Sequence, residues 1–207
     1  FGTAFAWNCR GDFPGGGEQT ALAGCTDVMG LSRRGAFMAH NEDDQPELDG
    51  RCFMVEVQPD EGVGFTSFYS PGLLPGHTFG WNTAGLVQNI NHLRTHDQRI
   101  GVPRHLLSRA VLGCEDLDDA VALIRETPRA GGFHHNLGMC GESPRVVSVE
   151  APASGVVIGE VRTVHAHTNH LLREELAAVP QTVAQSSSAR QDRAAELIAK
   201  GLTDDNA

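Results

Sequence analysis

The sequence predicts an α+β protein: two stacked antiparallel sheets with helices covering them. Three observations carry this. Short apolar or alternating runs recur at hairpin spacing before residue 92 and again from 136 to 168. Two segments of helical periodicity lie between them, and a third follows near residue 188. The 24 glycines and 10 prolines supply the turns that such a strand-rich chain needs. No internal repeat is evident, and 207 residues suffice for one well-buried core, so a single domain over 1–207 is expected.

Taken in order, Phe1 to Trp7 is apolar enough for a strand, and Asn8-Cys9-Arg10-Gly11-Asp12 is polar. Pro14 to Gln19 reads as a flexible connector leading to Ala23-Gly24-Cys25. Val28, Met29 and Leu31 form a strand, Ser32-Arg33-Arg34-Gly35 a turn, and Phe37-Met38-Ala39 the return strand. Residues equidistant from the turn sit opposite each other, which brings Cys25 beside Glu42 or Asp43. Strands are expected at 53–57 and 63–68, and a hairpin at 78–91. In its second strand Val87, Asn89 and Asn91 share one face, and Leu86, Gln88 and Ile90 the other.

Pro103 suits the first turn of a helix with Leu106, Leu107, Ala110 and Val111 on one face, ended by Gly113. Asp116 caps a second helix bearing Leu117, Ala120, Val121, Leu123 and Ile124, stopped by Pro128. Strands return at 136–140, 145–150, 155–160 and 163–168. A helix opening at Ser188 carries Ala194, Leu197 and Ile198.

Composition narrows the function. A net charge of −10, with no Lys/Arg block, argues against nucleic acid or an anionic membrane as partner. No apolar run approaches the roughly 20 residues of a membrane span. The five cysteines are scattered, without a Cys-x-x-Cys pair, so neither a disulfide framework nor a zinc ribbon is indicated. A reduced, cytoplasmic setting is the expectation. There is no Gly-x-Ser-x-Gly, no phosphate loop and no dinucleotide fingerprint, and no cofactor is implied.

Two polar concentrations remain. Cys25 beside a carboxylate is either a small apolar residue at a strand start or a nucleophile whose bond to Gly24 is its first substrate. In His165-Ala166-His167-Thr168-Asn169-His170, three histidines could gather round a metal. No carboxylate or cysteine completes that set nearby. No metal site is therefore assigned, and these histidines, with His134 and His135, are read as surface residues. Asn169 is either a turn residue or a side-chain amide that donates to a developing oxyanion.

The order of these pieces resembles the acyl-coenzyme A:6-aminopenicillanic acid acyltransferase family of N-terminal-nucleophile enzymes. The resemblance rests on Gly24-Cys25-Thr26, Asn41-x-Asp43, Gly80-Trp81-Asn82-Thr83-Ala84-Gly85-Leu86-Val87 with Asn89-x-Asn91, Gly101-Val102-Pro103 and His167-Thr168-Asn169-His170. Asn8-x-Arg10 also fits. It implies a four-layer αββα sandwich, C-terminally incomplete here, and a precursor that cleaves itself between Gly24 and Cys25. Residues 1–24 would then be a propeptide segment and 25–207 the catalytic one.

The resemblance further implies Cys25 as nucleophile and, once freed, as its own base through an α-amino group of pKa near 7.7–8.0. Asp43 would be oriented beside the reacting groups, and Asn169 would serve as oxyanion donor. Asn89 or Asn91 would assist, with Asn41 and Glu42 in the pocket. The substrate would be a small-molecule amide or acyl thioester, with the acyl group passing to water or an amine. Glu42, followed by Asp44, stands where the family often has an aromatic residue, and such an acidic pair suits a cationic substrate. A choloylglycine-hydrolase-like amidase and a non-catalytic binding domain of the same fold are the alternatives.

Overall fold

The computed structural model describes residues 24–32 and 35–201, together with Ala6, Asn8, Cys9 and Asp12. The connector at 14–19, the turn residues Arg33 and Arg34, and most of the expected strand at 1–7 lie outside the described residues.

Among the described residues, ten strands form two antiparallel sheets. The smaller holds β1 (Gly24–Ser32), β2 (Gly35–Asp43) and β10 (His165–His167) in the order β10-β1-β2. The larger runs in sequence order through β3 (Phe53–Val57), β4 (Phe65–Tyr69), β5 (Phe79–Asn82), β6 (Leu86–His92), β7 (Phe133–Met139), β8 (Arg145–Ala151) and β9 (Val157–Glu160). Among the described residues there are three α-helices: α1 (Arg104–Val111), α2 (Leu117–Glu126) and α3 (Gln185–Ala199). The expected α+β class with two antiparallel sheets is therefore observed. No helix is long and apolar enough to cross a membrane among the described residues.

Alternation along β6, β7 and β8 divides the larger sheet into two unlike faces. Leu86, Leu137, Val147, Val149 and Ala151 point one way and pack on Val111, Leu117, Ala120, Val121 and Ile124 of α1 and α2. Asp116 caps α2 by accepting from the Asp119 amide at 2.8 Å, as the sequence predicts. The alternate residues face the smaller sheet, where Met29 meets Val146 and Val161. On the far side of the smaller sheet, α3 lies along β1 and β10, and Gln191 Nε2 donates to the Ala166 carbonyl at 3.0 Å.

The 80–85 motif is explained by packing. Asn82 Oδ1 accepts from the amides of Ala84 and Leu86, closing the β5–β6 hairpin. Its Nδ2 donates to the carbonyls of Leu112 and Cys114 at the end of α1. All four hydrogen bonds of the amide are used: two close the hairpin and two tie it to the end of α1. Gly80 is needed because a Cβ there would stand 2.7 Å from the Thr66 carbonyl oxygen of β4.

The histidines correct the sequence expectation. His134, His135 and His167 are buried, not on the surface. β7 is an interior strand covered on both faces, and β10 is folded against the larger sheet, so neither side of β7 reaches water.

Candidate active site

The β1–β2 hairpin sets the site. Its register pairs Ser32 with Gly35, and counting back pairs Asp27 with His40, Cys25 with Glu42 and Gly24 with Asp43. Paired residues share a face, so Cys25, Asp27, His40 and Glu42 all point between the two sheets. Asp43 lies on the opposite face with Gly24, Thr26 and Asn41, and its carboxylate accepts from Asn41 Nδ2 at 3.5 Å. The carboxylate that meets the thiol is thus that of Glu42.

Cys25 Sγ donates to Glu42 Oε2 at 3.4 Å. The same oxygen lies 2.9 Å from His40 Nε2, and His40 Nδ1 lies 2.7 Å from Asp27 Oδ1. Asn136 Nδ2, from β7, donates to the other oxygen of Asp27. The chain of contacts continues through His134, whose Nδ1 is 3.3 Å from Asn136 Nδ2 and whose Nε2 is 2.8 Å from Ser148 Oγ. The His134 ring stacks on that of His167 with centroids 3.4 Å apart. His167 Nε2 in turn lies 3.1 Å from Glu150 Oε1, and Glu150 also accepts from the amides of Leu172 and Arg173.

The nitrogen of Cys25 has its own set of partners. It donates to Asn169 Oδ1 at 2.9 Å, and Asn169 Nδ2 donates to the His92 carbonyl at 3.2 Å. Arg190, on α3, donates through Nη2 to Asn169 Oδ1 at 2.8 Å. Its Nη1 donates to Thr26 Oγ1 at 2.8 Å and to the Cys25 carbonyl. A Cβ on Gly24 would lie 2.6 Å from Arg190 Nη2, so the glycine before Cys25 makes room for the guanidinium.

Asn89 and Asn91 sit on the inner face of β6, as the alternation predicts, with β1 crossing over that strand. Asn91 Nδ2 donates to the His167 carbonyl at 2.8 Å. Asn89 Nδ2 is buried with no partner among the described residues. An unmet buried donor costs about 1–3 kcal/mol, so this amide is ready for an acceptor.

Charge follows from burial and pairing. Burial pushes the Cys25 thiol well up, and the nearby charges of Glu42 and Asp27 push it the same way. Burial alone would lower His40, but its hydrogen bonds to Asp27 and Glu42 outweigh that and raise it to about 9. His40 is therefore an imidazolium at neutral pH, held between two acidic side chains. Burial raises Glu42 even against the pull of His40, and Asp44 adds to the rise. Burial, then the neighbouring histidines, hold His134 well below its usual value, and His165 falls to about 4.

The structure thus brings Cys25, Glu42 and Asn169 together and places Asn89 and Asn91 on the facing strand. It sets Asp43 and Asn41 behind the hairpin. Asp27, His40, Asn136 and Arg190 complete the cluster without having been expected. For Asp27 and His40 a signal existed, because the register that pairs Cys25 with Glu42 also pairs those two.

A neutral buried thiol, a linked carboxylate and imidazolium, and amide donors on the opposite sheet are groups of the kind that acyl-transfer chemistry uses. Comparison with known proteins agrees. The family model described as acyl-coenzyme A:6-aminopenicillanic acid acyl-transferase matches residues 31–207, and the chain belongs to that family. The match takes in His40, Glu42, Asn89, Asn136, Asn169 and Arg190 and begins after Cys25. A Drosophila melanogaster protein named beta-alanyl-dopamine/carcinine hydrolase is 29% identical over 114 residues. That alignment covers 50% of this chain and 30% of the relative's length.

Proposed function

We propose that this chain is a self-processing cysteine amidohydrolase or acyltransferase of the N-terminal-nucleophile type, with its layers ordered αββα. The observation that carries the reading is the setting of Cys25. Its thiol meets Glu42 Oε2 between the sheets, and its nitrogen is held by Asn169. Family membership supports the acyl chemistry.

In self-cleavage, Cys25 Sγ attacks the Gly24 carbonyl carbon and passes its proton to Glu42. The carbonyl oxygen becomes an oxyanion, for which the Asn89 amide, unpaired among the described residues, is the donor in this reading. As the Gly24–Cys25 bond breaks, the departing nitrogen takes up the proton while Asn169 Oδ1 holds it in place. Water then hydrolyses the thioester and leaves Cys25 with a free α-amino group. In turnover that amine accepts the thiol proton, an external amide or thioester acylates Cys25, and water or an amine removes the acyl group. Asp43, behind the strand and opposite Gly24, orients the scissile segment from the other face.

The relative's name points to β-alanyl amides. A β-alanyl group ends in an amine that is cationic at neutral pH, and Glu42 with Asp44 gives this pocket matching negative charge. Cationic acyl groups are therefore the proposed preference.

Intact mass of wild type and Cys25→Ala, side by side, tests the reading. Wild type is expected to separate between Gly24 and Cys25, into pieces of 24 and 183 residues for the sequence given. The variant should stay whole. Cleavage that persists in Cys25→Ala removes Cys25 as nucleophile.

A further inference from the structure

We propose that Cys25 Sγ, His40 Nε2 and a carboxylate oxygen of Glu42 form a zinc-binding site that, when filled, silences the nucleophile. All three atoms lie within 4.8 Å of one another. Zinc bonds of about 2.3 Å to sulfur and about 2.0–2.2 Å to nitrogen and oxygen imply tetrahedron edges of roughly 3.3–3.6 Å. The two edges that meet at Glu42 Oε2 measure 3.4 Å to Sγ and 2.9 Å to Nε2. Both edges lie within about half an ångström of the tetrahedral lengths.

The surroundings match as well. A ligating imidazole is usually fixed by a carboxylate on its other nitrogen, and His40 Nδ1 is held so by Asp27. Asp27 is itself fixed by Asn136. Thiolate and carboxylate together balance the two positive charges of the ion. The side chain of Glu42 is 25% exposed, which gives the ion a way in and leaves a fourth position for water. The thiol proton and the proton on Nε2 leave to solvent as the two bonds to the metal form.

A thiolate that shares a lone pair with zinc is a much weaker nucleophile toward Gly24 or a substrate. The silencing, though not the binding, rests on the proposed role of Cys25. Sulfur and nitrogen ligands select zinc over magnesium or calcium, which require oxygen.

Cobalt(II) titrated into the whole protein is the probe, because a cobalt–thiolate bond gives a near-ultraviolet charge-transfer band. The band should saturate at one ion per chain, disappear on adding zinc, and ignore magnesium and calcium. It should be lost in Cys25→Ser. Asp27→Asn should weaken cobalt binding about 10–100-fold, and Glu42→Gln at least as much, with circular dichroism confirming that each variant is folded. No band with wild type, or a band that survives Cys25→Ser, overturns the site. Zinc should also block self-cleavage and protect Cys25 from iodoacetamide, both reversed by a chelator. Metal binding that leaves self-cleavage and turnover unchanged would uphold the site and sink Cys25 as nucleophile instead.

Discussion

The two faces of the larger sheet are built from the same strands and do opposite work. On the helix side, Leu137, Val147 and Val149 lie among the apolar residues of α1 and α2. On the other side, one residue along each strand, Asn136, Ser148 and Glu150 are equally buried but form a polar network with His134, Asp27 of β1 and His167 of β10. Burial of apolar area on the first face supplies stability. The second face spends buried polar groups on a site and is kept folded by the first. A period of two residues separates the two tasks.

The sharpest test of that division is Leu137→Ala. Leu137 is fully buried on the helix side, and removing it should cost roughly 2–5 kcal/mol in chemical denaturation. Well below the melting transition, iodoacetamide should label Cys25 at the wild-type rate. A variant that loses reactivity in step with stability would show that the two faces are not separable.

The sequence made part of this division legible. Alternation alone puts Asn89 and Asn91 on one face of β6, and the symmetry of the hairpin brings Cys25 to Glu42 or Asp43, between which the observed register chooses Glu42. The rest depends on contacts that local pattern does not carry. Asn136 meets Asp27 across 109 residues, and Arg190 meets the Cys25 carbonyl across 165. The burial of the histidines escapes local pattern for the same reason. His134 and His167 look like surface polarity until the sheets stack and supply Ser148 and Glu150 as partners.

The next effect is pH dependence, which exposes the polar exception on each face. His135 lies on the helix side beside Phe133 and Gln88. Burial, with Arg129 adding, lowers it from 6.5 to about 3. A depressed folded value means full stability above about 6.5 and progressive loss below it, because the unfolded chain takes the proton first. Between pH 7 and pH 5 the loss from His135 should be about 2 kcal/mol. His134 and His165, on the inner face and beside it, shift the same way and add to it. Urea midpoints of wild type and His135→Leu across that range divide the slope between the faces. A slope untouched by His135→Leu would assign the acid sensitivity to the inner face alone.

The smallest effect probes how closely the far side of the hairpin, under α3, is fitted to the scissile bond. Gly24→Ala adds a methyl group 2.6 Å from Arg190 Nη2 and 3.1 Å from Asn169 Oδ1. The guanidinium is the end of a flexible side chain and can swing away, so stability should change by less than about 1 kcal/mol. Swinging away releases the Cys25 carbonyl and Thr26 Oγ1 and leaves Asn169 with less to hold it against the Cys25 nitrogen. Self-cleavage, followed by intact mass over time, should slow about tenfold, which corresponds to about 1.4 kcal/mol in the barrier. Arg190→Lys keeps the charge but loses the two-pronged grip, and it should slow cleavage to a similar extent. If Gly24→Ala slows cleavage while Arg190→Lys does not, the methyl group acts on the peptide directly, and Arg190 serves only to bind α3 to the hairpin.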